Sequence, residues 1–68
     1  MMIELNGEPV ELGDGASVAQ AVAAAGAGDA RRGVAAAVDG EVVPRAEWES
    51  RKLADGSAVE VVRAVQGG

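Results

Sequence analysis

The chain has 68 residues, 49% of them apolar and mostly Ala and Val, with one Trp and no Phe or Tyr, so it makes one domain with a thin core and no room for a metabolite pocket. With no Cys and no His, it can build no disulfide, no thiolate metal site and no Ser-His-Asp or Cys-His catalytic group. A net charge of −5 weighs against nucleic acid or an anionic membrane surface as partner, and the absence of an export leader or a membrane-length apolar run makes the cytoplasm the expected location.

In chain order, Met2–Asn6 alternates weakly, and Asn6-Gly7 is a two-residue hairpin signal. Glu8 to Leu12 reads as the returning strand, with Val10 and Leu12 on one face. Pro9 cannot donate to a ladder and points to a sheet edge. Ser17-Val18-Ala19-Gln20 has the spacing of a capping box. It opens a helix expected to run through Ala25 and to stop at Gly26. Val18, Ala21, Val22 and Ala25 give that helix one narrow apolar stripe.

Residues 26–33 read as loop, and Val34–Val38 as a strand that turns at Asp39-Gly40. Glu41–Arg45 returns, with Pro44 ending the pairing. Ala46–Ser50 has the length of one helical turn. Asp55-Gly56 leads into a last strand from Ala58 to Val65. One helix cannot cover both faces of the sheet that these strands would form. The economical arrangement is an α+β layer pair: a mixed sheet of four to five strands wrapped on one main helix. If the N-terminal hairpin neighbours the last strand, the fold is a β-grasp.

Little in this chain resembles a catalytic site. Gly26-Ala27-Gly28 lacks the third glycine of a dinucleotide loop and follows a helix, so it reads as a helix stop and loop. Asp14, Asp29, Asp39 and Asp55 lie beside glycines, as turn formers do. Glu47 and Glu49 form a solvated face around Trp48, which reads as a core or sheet-edge plug. The last strand is more informative. If Val59 and Val61 face the helix, then Glu60, Val62 and Ala64 face the other way. Val62 and Ala64 would then offer a small apolar docking patch, with Arg45 as a weaker polar contributor.

Beyond that strand the sequence finishes on Gly67 and Gly68, residues that neither pack nor cap. Residues 65–68 extended would reach about 13–14 Å. An end without Cβ atoms suits a channel too narrow for other side chains. A free carboxylate there is ionised and a poor electrophile, so it reacts only after a partner activates it.

Taken together, the segment Val43-Pro44-Arg45-Ala46-Glu47-Trp48, the Asp55-Gly56 turn and the Gly67-Gly68 end resemble the sulfur carrier proteins of thiamine (thiazole) biosynthesis, the ThiS-type branch of the ubiquitin-like β-grasp family. Gln66 departs from the small or apolar residue more usual before the diglycine. The resemblance implies a β-grasp domain over residues 1–64 and a flexible tail over 65–68. It also implies a protein co-substrate rather than an enzyme, with no stably bound cofactor.

In that family's scheme an E1-like, ThiF-type adenylyltransferase uses ATP-Mg to adenylate the Gly68 carboxylate, with Gly67 assisting delivery. Sulfur, drawn for example from a cysteine desulfurase, then makes a thiocarboxylate. A ThiG-type thiazole synthase takes up that sulfur. The alternatives are a sulfur carrier for another pathway, such as molybdopterin, a sulfur-containing amino acid or a natural product, or a β-grasp interaction module with an inert tail.

Overall fold

A computed structural model of the chain describes residues 1–26 and 33–63. Strand β1 (Met2–Leu5) turns through Asn6-Gly7 into β2 (Glu8–Glu11). Helix α1 (Val18–Ala24) follows, and then the hairpin of β3 (Val34–Val38) and β4 (Glu41–Val43). A 3-10 turn at Arg45–Glu47 precedes the last strand, β5 (Ala58–Arg63).

Both hairpins turn as their dipeptides predict. Asn6 and Gly7 have φ of 51° and 84°, and Asp39 and Gly40 have 51° and 85°. Two consecutive left-handed residues match the right-handed twist of the flanking strands, and Asn-Gly and Asp-Gly tolerate them at low cost. At the helix, Ser17 is the N-cap, and its N–H donates to the Gln20 side chain at 3.0 Å. Ala25 is the C-cap, and Gly26 leaves the helix at φ 80°. The predicted span from Ser17 to Ala25 thus includes both caps of a seven-residue helix.

The five strands form one mixed sheet in the order β2-β1-β5-β3-β4. Pro9 lies on the edge strand β2, as its missing N–H requires. The central strand β5 pairs parallel with β1 and antiparallel with β3. The parallel pair is reached only through the long connection carrying the helix and the second hairpin. This is the ubiquitin-like β-grasp architecture. Pairing of β4 stops at Val43, one residue before Pro44, and Arg45 belongs to the 3-10 turn rather than to the returning strand.

The core lies between one face of the sheet and α1. Ile3 and Leu5 on β1, Ala36 and Val38 on β3, Val43 on β4, and Val59 and Val61 on β5 all turn toward Val18, Ala21 and Val22 of the helix. Removing a Val or Ile side chain of this kind from water contributes about 1.5–3 kcal/mol. Trp48 and Leu53 complete the same cluster from the segment between β4 and β5.

That segment also closes the start of the helix. Its Arg51 and Trp48 carbonyls accept from the Val18 and Ala19 N–H groups, at 3.0 Å each. Two of the helix's orphan donors are thereby satisfied by backbone alone. No helix among the described residues is long and apolar enough to cross a membrane.

Candidate docking face

With α1 on one side of the sheet, alternation along each strand decides what the other side presents. On β5, Val59 is 1% exposed in the core, whereas Val62 is 59% exposed on the outer face. Pairing sets Val62 beside Ala35, and Glu60 beside Ala37. Ala37 in turn pairs with Val42 of β4, which is 70% exposed. These residues surround one shallow depression of about 210 Å³, lined by Ala35, Ala36, Ala37, Val42, Glu60 and Val62. The small alanines of β3 form its floor, and the two valines and Glu60 rise around it.

A depression this shallow holds no metabolite in a closed pocket, but it suits the tip of an apolar side chain from a partner. Isolated surface valines are ordinary. Two on non-adjacent strands, converging across an alanine floor, make a contiguous patch. Val62 therefore stands where its alternation with Val59 and Val61 predicts. Its companions are Ala35, Ala37 and Val42, which the sequence reading left without a role. The signal for them was available: counting in twos from the Asp39-Gly40 turn assigns each a face. Ala64, the other residue expected in the patch, lies outside the described residues.

Arg45 is placed elsewhere. It is exposed on the 3-10 turn beyond the edge strand, and its guanidinium stands 5.4 Å from the centre of the Trp48 ring, within cation–π range. It does not line the depression. Trp48 is the core plug expected of it: it is buried, and its Nε1–H donates to the Val43 carbonyl at 2.9 Å. In the Val43–Trp48 segment, then, the first and last residues secure the turn to the sheet, and Arg45 covers the indole.

At the far end of β5, the Arg63 guanidinium donates to the Gly26 carbonyl just past the helix. A cation is favourable at that end of the helix dipole. The contact ties the last described turn of the helix to the root of the C-terminal segment. Gly67 and Gly68, expected to deliver and carry the chemistry, lie outside the described residues. Among the described residues no three His, Cys, Asp or Glu side chains gather to hold a metal.

Comparison with known proteins agrees with this architecture. The family model described as "ThiS family" matches residues 2–68. The crystal structure of a thiamine biosynthesis protein (ThiS) from Geobacter metallireducens is similar, with 27% identity, a TM-score of 0.79 and complete coverage of both chains. A solution NMR structure of a thiamine biosynthesis protein from the same organism is 28% identical, with a TM-score of 0.78 over all of this chain and 88% of that one. The curated proteins contain no match. A family match over nearly every residue, joined to a β-grasp sheet in the order β2-β1-β5-β3-β4, means that the chain belongs to the ThiS family.

Proposed function

We propose that this protein is the sulfur carrier of thiazole formation in thiamine biosynthesis, a co-substrate of other enzymes and not itself a catalyst. The family match running through residue 68 is the observation that carries the reading. In this scheme residues 1–64 are the folded body and residues 65–68 the delivered tail. The Gly68 carboxylate attacks the α-phosphorus of ATP held with Mg by a ThiF-type adenylyltransferase, and pyrophosphate leaves. A sulfide equivalent, released when a thiol reduces the persulfide of a cysteine desulfurase or provided by another donor, then displaces AMP from the acyl carbon. The resulting thiocarboxylate passes its sulfur to a ThiG-type thiazole synthase.

The residue inventory supports this division of labour. A chain without His or Cys has to borrow its general base and its thiol chemistry from partners. What it supplies is recognition and reach. The body docks through its outer sheet face, with Val62 central, Arg45 contributing from the adjoining turn and Ala64 as a further contributor. Gly67 has no side chain to obstruct passage of the end into the partner's site. Docking contacts offset the cost of ordering the tail, about 1–2 kcal/mol per residue.

Genetic complementation tests the pathway. In a cell that lacks its own thiazole sulfur carrier and needs added thiamine or thiazole, the full chain is expected to restore growth. A chain lacking Gly67 and Gly68 is expected to fail. Rescue by the truncated chain would support the inert-tail interaction module. Failure of the full chain, when expressed with its own adenylyltransferase and synthase, would favour a sulfur carrier for another pathway.

A further inference from the structure

The outer face of the sheet also carries a one-sided charge pattern. Strand pairing places Glu4, Glu11 and Glu60 on this face. Arg63 is the only Lys or Arg within the described strands, and it turns to the helix side to donate to Gly26. Glu60 lies innermost: it is on the central strand, exposed, and forms part of the wall of the depression beside Val62. Among the described residues no ion pair joins a cation to Glu60, whereas Met1 pairs with Asp14 and Arg51 with Glu41.

A carboxylate in that position makes the patch selective. A partner that covers Val62 and Val42 must also strip water from Glu60. That is costly unless the partner offers a cation in its place. A neutral apolar partner is therefore penalised, and so is an acidic one. A second copy of this chain would bring the same carboxylates to the same contact, with an overall charge of −5 on each molecule.

We propose that the occupant of this face is a basic enzyme surface that seats one apolar side chain in the depression and sets an Arg or Lys against Glu60. Glu60 is then a specificity-determining residue for docking. The proposal rests on the reading of this face as the carrier's docking surface. Glu60 and the overall negative charge also attract such a surface before contact, over about 8–10 Å at physiological ionic strength.

The test measures association and dissociation rates of the full chain with its purified adenylyltransferase, from low salt to about 1 M. The wild-type association rate is expected to fall at least about tenfold across that range. Glu60→Gln, nearly isosteric and outward-facing, should flatten most of this dependence. Glu60→Lys should lower the low-salt rate by about tenfold or more. Glu11→Gln, on the edge strand, should change it less.

Wild-type rates and salt dependence in both Glu60 variants would overturn the proposal. So would a salt-independent wild-type complex that still supports sulfur loading, which leaves the carrier reading standing. Conversely, a salt-dependent, Glu60-dependent complex that never adenylates Gly68 would uphold the docking inference and sink the carrier reading. Sedimentation of the free chain as a dimer that Glu60→Lys alters would assign the face to a second copy and overturn the proposal.

Discussion

The sequence contains two Val-Val doublets in its strands, Val42-Val43 and Val61-Val62, and the fold splits both. Val43 and Val61 close the core against the helix, whereas Val42 and Val62 face outward into the same depression. Residue chemistry is identical within each doublet, so hydrophobicity does not determine which member is buried. Strand alternation and the placement of one helix do. A β-grasp of this size has apolar material for two faces and a helix for only one. Among the described residues the inner face forms the packed core, and Val42 and Val62 on the outer face stay exposed.

Changes made one residue apart test this contrast most severely. Val61→Asp puts a carboxylate into the core with no partner, at a cost comparable to the whole stability of a domain this size, roughly 3–10 kcal/mol. Circular dichroism and Trp48 fluorescence should report a largely unfolded chain at 25 °C. Val62→Asp should melt within a few degrees of wild type yet weaken the complex with the adenylyltransferase by about 1–3 kcal/mol. Equal destabilisation by the two variants, or normal binding by Val62→Asp, would remove the distinction between the faces.

Smaller effects sharpen the same comparison. Trp48→Phe keeps most of the apolar volume but leaves the Val43 carbonyl without its buried donor. It should cost about 1–2 kcal/mol in denaturant unfolding and leave docking unchanged. A large docking defect would show that the indole under Arg45 belongs to the interface. Arg63→Ala removes an exposed, charge-assisted contact to the helix end, and about 0.3–1 kcal/mol of stability should go with it. High salt should shrink that difference.

Much of the fold was legible because it is written in local chemistry. Asn6-Gly7 and Asp39-Gly40 specify their turns through φ alone, and Ser17 with Gln20 marks the helix start. Pro9 announces an edge strand through the hydrogen bond it cannot make. Val62 was legible from a period of two. Other features carry no such signature. The closure of the helix start by the Trp48 and Arg51 carbonyls uses backbone atoms that any residue could supply. The alanines of β3 were read as a plain apolar run, since a five-residue strand of small side chains does not reveal its neighbours. Glu60 was expected on the outward face, but only strand pairing sets it beside Ala37, which pairs in turn with Val42. Arg45 was expected as a weaker polar contributor to docking; the fold sets its guanidinium 5.4 Å from the centre of the Trp48 ring, a contact with no local sequence signal.

In the function proposed above, the folded body presents Gly68 to an activating enzyme. The most direct measurement is the intact mass of the chain after incubation with purified adenylyltransferase, ATP-Mg and a sulfur source, followed by fragmentation to locate any change. The expected result is a gain equal to the replacement of one oxygen by sulfur, confined to Gly68 and absent when ATP is withheld. The chain lacking Gly68, whose carboxylate is set back by about 3.5 Å, should show none. A gain located at Met1 or Met2 would be oxidation. Equal sulfur loading of the shortened chain, or no loading of the full chain by an enzyme that binds it, would mean that Gly68 does not carry the sulfur.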